Sequence, residues 1–293
     1  MIEANQLSKR FKSGHGIHGL NFTVAEGEAF GFVGPNGAGK STTIRCLMGF
    51  MRPTQGHASI AGHHCWDDAS EIHRMVGYIP GEVILPENLT GHQLLQDIRG
   101  LHGVHDRSRL DRLVTRFDLD PGLSIRHMSK GTRQKLAIIT ALLHDPAVLI
   151  LDEPTSGLDP LMQQVFIEIM HEEHERGKTV FLSSHIFSEI ERICDRVAIL
   201  RQGAIVALEP IAHLRAEQET LFDVTLSSLP TEGTLGNLRV LEQRGLVLTV
   251  AVQGDYTTFF TVLATLPVTH LQQRLQDLET LFQRLYAEEV NSL

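Results

Sequence analysis

Strands alternating with helices predict an α/β protein, a mainly parallel sheet wrapped by helices with a small α/β module behind it. Three observations carry that expectation. Short apolar runs, Ala29-Phe30-Gly31-Phe32-Val33 and Ala147-Val148-Leu149-Ile150-Leu151, read as strands buried on both faces. Helical spacing follows the first run, where Ile44, Leu47 and Met48 share one face. A glycine-rich loop at residues 34–42 joins that strand to that helix.

The elements follow in order. Residues 2–7 and 20–24 read as strands of an antiparallel region, and residues 29–33 as a buried strand running into the loop. A helix begins at Ser41, and residues 75–80 form a further strand. Two helices are expected at 90–103 and 106–117, the second with Asp106 as N-cap. Ser129 opens another helix, which stops near Asp145-Pro146. The helix at 159–176 is read from Leu161, Val165 and Ile169 and ends on Gly177 as its C′ residue. A strand at 178–183, a helix at 186–193 and a strand at 196–200 follow. Past residue 210 the pattern changes to two or three strands, among them 221–226 and 246–252, and helices near 256–265 and 275–287. No chemical motif appears there. The expected domains are 1–215, with a helical subdomain at about 87–145, and an accessory α/β domain at 216–293.

Composition narrows the function. The chain has 293 residues, 42% hydrophobic and 21% charged, the mix of a folded protein with a real core. Its net charge of −9 and lack of a basic stripe speak against nucleic acid. Cys46, Cys65 and Cys194 are far apart, so reduced, mostly buried thiols are expected. His63, His64 and Cys65 adjoin, but no second ligand cluster matches them, so a polar loop is favoured over a zinc site. The N-terminus lacks the pattern of a signal peptide. No apolar run approaches the ~18–20 residues that cross a bilayer. The expected location is therefore the cytoplasm.

Gly34-Pro35-Asn36-Gly37-Ala38-Gly39-Lys40-Ser41 fits the phosphate-binding pattern G-x-x-x-x-G-K-[ST]. Glycines let backbone N–H groups turn toward phosphate oxygens, and the helix N-terminus adds its positive end. Lys40 brings a full charge to β- and γ-phosphates, and Ser41 offers a hydroxyl to Mg²⁺. The second element is Val148-Leu149-Ile150-Leu151-Asp152-Glu153. Asp152, at the tip of a buried strand, suits Mg²⁺, and Glu153 is placed to polarise an attacking water. ATP binding with hydrolysis is the expectation.

With these residues in hand, a family resemblance can be stated. Residues 151–160, Leu-Asp-Glu-Pro-Thr-Ser-Gly-Leu-Asp-Pro, resemble the Walker B and D-loop of ABC-type ATPases. Ser183-Ser184-His185 resembles the family's switch-histidine loop, and Met128-Ser129-Lys130-Gly131-Thr132-Arg133-Gln134 its signature sequence. The resemblance covers residues 1–215 and implies an ABC-type nucleotide-binding domain of the P-loop NTPase fold, with an antiparallel β subdomain and a helical subdomain. It implies that Phe11 stacks on adenine, against the plainer reading of Phe11 as a core aromatic. It implies that Ser129 and Gly131 contact the γ-phosphate of ATP held by a second subunit, and that Asp159 crosses between the two. His185 would hydrogen-bond the γ-phosphate and the attacking water. A homodimer and a separate integral-membrane permease are the implied partners, with the chain peripheral on the inner face of the membrane.

The sequence departs from the family at two places. Where the family carries a Gln that ligates Mg²⁺, this chain has Gly81 followed by Glu82. Two readings of Glu82 stand, a substitute Mg²⁺ ligand and a solvated loop charge. Lys130 and Thr132 replace the usual Gly and Gln of the signature. Resembling sequences with that Lys belong to exporters whose ATPase and membrane subunits are separate chains. The alternatives are a soluble ABC ATPase not coupled to transport and a regulatory ATP-binding module. The final helix resembles the end of drug- and lipid-exporter ATPase subunits, and reads as a support for dimerisation or a regulator of activity and, equally, as a stabilising appendage.

Overall fold

The structure is a computed structural model that describes residues 1–274 apart from 13, 217–219, 230–234, 237 and 253–255. The chain divides into two compact units, Met1–Ile211 and Ala212–Leu293. The first contains β1 (Ile2–Arg10), β2 (Gly16–Val24), β3 (Ala29–Val33), α1 (Lys40–Leu47), β4 (Gln55–Ile60), β5 (His63–His64), α2 (Ala69–Met75) and β6 (Val76–Ile79). It continues with α3 (Gly91–Leu101), α4 (Ser108–Arg116), α5 (Lys130–Leu142), β7 (Val148–Asp152), α6 (Pro160–Glu175), β8 (Thr179–Ser184), α7 (Phe187–Ile193), β9 (Arg196–Arg201) and β10 (Ala204–Pro210).

The main sheet runs β10-β9-β3-β8-β7-β6. It is parallel from β9 to β6, and β10 closes one edge antiparallel to β9. Every residue of β3, β7 and β8 is buried, which explains their continuous apolar runs. Their carboxyl ends lie side by side, since Val33 pairs with Ser184 and Asp152 with Ser183. Ligands of open α/β sheets bind outside such strand ends.

A second sheet, β2-β1-β4-β5, is antiparallel throughout. Phe22 of β2 fastens it to the main sheet. Its ring lies 5.7 Å from Phe30, 5.6 Å from Phe32 and 5.9 Å from Phe181. Burying a side chain of this size contributes about 1.5–3 kcal/mol, so this cluster fixes β3 and the loop it launches.

The structure corrects four local expectations. Arg107, not Asp106, is the N-cap of α4; Asp106, one residue earlier, accepts the Ser108 N–H at 2.9 Å. Leu161 does not belong to the buried stripe of α6 and is 69% exposed. Positions four apart drift about 40° per step around a helix, so the stripe that faces the core is Met162, Phe166, Ile169 and Met170. The strands β4 and β10 were not expected from the pattern. His63 and His64 are paired in β5 rather than lying in a loop, and among the described residues no three His, Cys, Asp or Glu side chains converge as metal ligands. The cysteines are free and buried, and burial pushes the thiols of Cys46 and Cys65 up to about 11 and about 12.

The second unit begins at Ala212, one residue into α8 (Ile211–Ala216). It holds β11 (Thr220–Leu226), β12 (Arg239–Arg244), β13 (Val247–Val252), α9 (Tyr256–Leu263) and β14 (Val268–Arg274). These strands form an antiparallel sheet in the order β12-β13-β11-β14, four strands where the sequence suggests two or three. Phe222, Val224, Val250 and Phe259 form its core. The helix expected at 275–287 lies outside the described residues.

Candidate functional site

A cleft of about 720 Å³ opens at the carboxyl ends of β3 and β7. Its floor is the loop between β3 and α1. Gly37 and Gly39 adopt φ of 82° and 113°, a region that suits glycine. No side chain among the described residues caps α1, so its first N–H groups remain available to an anion. Pro35, Asn36, Gly37, Gly39, Lys40, Ser41 and Thr42 line the cleft. Gly34 and Ala38 are buried beneath it.

Lys40 is 6% exposed, and a buried ammonium needs partners. Its Nζ donates to Gly34 O at 2.6 Å and lies 3.2 Å from Glu153 Oε1. The other oxygen, Glu153 Oε2, is 2.6 Å from His185 Nδ1. A carboxylate can only accept, so His185 donates from Nδ1. Lys40, Glu153 and His185 are thereby linked through one carboxylate.

Glu153 has φ of 51°, the left-handed region that costs a non-glycine residue of order 1–3 kcal/mol. Backbone contacts hold it there: its N–H donates to Ser183 O at 3.1 Å, and Ser156 N–H donates to its carbonyl at 3.1 Å. Beside it, Asp152 is 2% exposed and accepts the Ser183 hydroxyl at Oδ1, 2.5 Å away. A Cβ built on Gly81 would lie 2.9 Å from Asp152 Oδ2, so the chain at Gly81 runs directly against that carboxylate. Glu82 lines the same cleft, as does Phe11, which is 39% exposed and is not a core aromatic.

Ser129, Gly131 and Asp159 do not line this cleft. Ser129 is the N-cap of α5, where its Oγ accepts the Thr132 N–H at 3.1 Å. Asp159 caps α6 and accepts the Met162 N–H at 3.0 Å. The two caps are joined through the loop that follows β7. Gly131 packs so closely on it that a Cβ there would lie 2.7 Å from Gly157 O. Lys130 Nζ donates to Ser156 Oγ at 3.1 Å, and the buried Gln134 donates to Pro154 O at 2.6 Å.

Several contributors escaped the sequence reading. His15, Gly16, Arg45 and Tyr78 also line the cleft. Burial, then the Asp152 charge, pushes the Tyr78 hydroxyl up to about 12, so it stays a protonated donor. Thr155 and Glu189 meet through a hydrogen bond, and Ser184 donates to the other oxygen of Glu189 at 2.7 Å. Only the polar run Ser183-Ser184 at the end of an apolar strand hinted at such a network.

Residues 17–156 match the family model described as ABC transporter. The bacitracin transport ATP-binding protein BcrA of Bacillus licheniformis is 36% identical over 230 residues, covering 78% of this chain and 75% of that protein. An ABC transporter ATP-binding protein of Synechocystis sp. is 33% identical over 281 residues, covering 91% of this chain and 78% of that one. A solved structure described as an ATP binding subunit of an ABC transporter superposes with a TM-score of 0.69 at 34% identity, over 73% of this chain and 92% of that chain. A dimeric post-hydrolysis cassette, 23% identical with a TM-score of 0.63 over 72% of this chain and 99% of that one, shares the fold. With its phosphate loop, its paired carboxylates and these relatives, the chain belongs to the ATP-binding, ATP-hydrolysing subunits of ABC transporters.

Proposed function

We propose that this chain powers a separate membrane-spanning permease in the direction of export, working as one of two nucleotide-binding subunits. The observation that carries the reading is the linkage of Lys40, Glu153 and His185 through one carboxylate at the carboxyl ends of the sheet. Relatives named for bacitracin transport, linearmycin resistance and Nod factor export support the direction. No helix among the described residues is long and apolar enough to cross a membrane, which is in keeping with a permease on another polypeptide. The chain would then sit on the inner face of the membrane through that partner.

The site residues take these roles. Phe11 stacks on the adenine, and residues 34–42 cradle the phosphates. Lys40 neutralises the β- and γ-oxygens. Glu153 holds and polarises the attacking water, while His185 contacts that water and the γ-phosphate. Ser129 and Gly131 contact the γ-phosphate bound by the other subunit, and Asp159 ties the two sites together. The hydroxyl of Ser41 and the carboxylate of Asp152 are hard oxygen donors on one cleft, a set that fits Mg²⁺. Glu82 would add a third oxygen where Gly81 has none to give. The ion supplies charge neutralisation at the phosphate oxygens.

Co-expression with any multi-span membrane protein that a neighbouring reading frame encodes tests the reading. Co-purification, with ATP hydrolysis raised in proteoliposomes, is expected. Recovery of RNA and no membrane subunit would overturn it.

A further inference from the structure

The loop after β7 carries Glu153 and is gripped from two sides. On one side α5 holds it, through Gln134 at Pro154 O and Lys130 at Ser156 Oγ. On the other, a single carboxylate of α7 reaches it. Glu189 is 6% exposed, and among the described residues its hydrogen-bond partners carry no charge. Its partners are hydroxyls that are themselves buried: Thr155, 3% exposed, on one oxygen, and Ser184, 0% exposed, on the other, 2.7 Å away. The Ser184 hydroxyl accepts the Ile186 N–H at 2.9 Å in turn.

This bridge spans the two loops that carry the chemistry. Thr155 lies two residues past Glu153, and Ser184 directly precedes His185. Burying a carboxylate without a cation is costly, and hydroxyl donors recover only part of that cost. A placement made for stability alone would favour an apolar side chain at 189. What the carboxylate adds is geometry: two oxygens in a rigid plane set the separation of the Glu153 loop and the His185 loop.

We infer that Glu189 is a positioning residue for ATP hydrolysis, acting through Thr155 and Ser184 to hold Glu153 and His185 at the separation that grips a water against the γ-phosphate. The inference rests on the catalytic roles proposed for Glu153 and His185. Displacing such groups by about 1 Å can cost on the order of a hundredfold in rate.

The test uses the full chain with Mg²⁺ and ATP. Glu189→Gln keeps the shape and loses the second acceptor oxygen. It is expected to lower kcat about tenfold or more while KM for ATP stays within about twofold. Thr155→Val should do the same, and Thr155→Ser, which restores the hydroxyl, should recover most of the rate. In a His185→Ala background Glu189→Gln should add little, since residues acting as one unit are not additive. An unchanged kcat in Glu189→Gln, or full additivity with His185→Ala, would overturn the inference. Should Glu189→Ala fail to fold, Glu189→Gln and Thr155→Val still decide. If Glu153→Gln and His185→Ala themselves leave turnover intact, the proposed catalytic roles fail instead, and the two failures are told apart.

Discussion

The two halves of the nucleotide machinery are built differently. The half at the ends of β3, β7 and β8 is buried and cross-linked: Lys40 is 6% exposed and Asp152 2%, and one carboxylate joins Lys40 to His185. The half at the start of α5 is more open: Ser129 is exposed, lies outside the cleft, and caps its helix. Buried polar groups have few alternative partners, so the first half is organised by the fold of one chain. Ser129 and Gly131 lie outside that cleft, in keeping with the proposal that they meet a phosphate held by a second copy. The loop of residues 153–157 joins the halves, because both α5 and α7 hold it.

The strongest way to break this contrast is Glu153→Gln. Loss of a positioned general base costs about 10²–10⁴-fold, so turnover should fall by that much while a dimer with ATP accumulates, read by phosphate release and by light scattering. Unchanged phosphate release would remove Glu153 from the mechanism. Ser129→Ala and Gly131→Ala probe the other half. For Ser129→Ala turnover should drop about 10–100-fold, the worth of a hydrogen bond to a charged group, while nucleotide affinity of the isolated subunit holds. Gly131→Ala acts by pressing a Cβ to within 2.7 Å of Gly157 O and should lower turnover in the same direction. Ser129→Ala also removes a cap worth about 1 kcal/mol and should lower Tm by about 2–4 °C. A matching loss of affinity in the single subunit would place the signature within one chain's own site.

Smaller effects sharpen the picture. Glu82→Ala should raise the Mg²⁺ needed for half-maximal rate about tenfold, measured by metal titration of turnover. If the midpoint does not move, Glu82 is a solvated loop charge. His144 stands just beyond α5, its ring 3.9 Å from that of His102. Burial first, then the His102 charge, pushes its pKa down from 6.5 to about 4. The unfolded chain therefore takes up a proton that the folded chain refuses. Stability from this group is full above pH 6.5 and declines as pH falls toward 4. His144→Gln should flatten the fall of Tm across that window.

Much of the cleft was legible because its chemistry is local in sequence. The phosphate loop is one continuous segment, and Asp152 and Glu153 end a single apolar strand, so spacing alone marks them. Glu189 was not legible, because its partner Thr155 is 34 positions away and an isolated Glu on a helix reads as solvated. Tyr78 and Arg45 reach the cleft from elements whose register only the folded sheet sets. The stripe of α6 was misread for a simpler reason: a strict spacing of four leaves the core face after two turns, and Leu161 ended in solvent. The antiparallel β10 needed its pairing with β9, which no local pattern encodes.

The contact between Lys40 and Glu153 changes what nucleotide binding means here. The lysine is already neutralised by an internal anion 3.2 Å away. On the roles proposed above, a phosphate that takes Lys40 competes with that carboxylate, so binding would be an exchange of anions rather than the filling of a bare cationic pocket. A displaced Glu153 would be free to take its proposed part in holding water as the γ-phosphate arrives. Substrate capture and arming of the proposed base would then become one event.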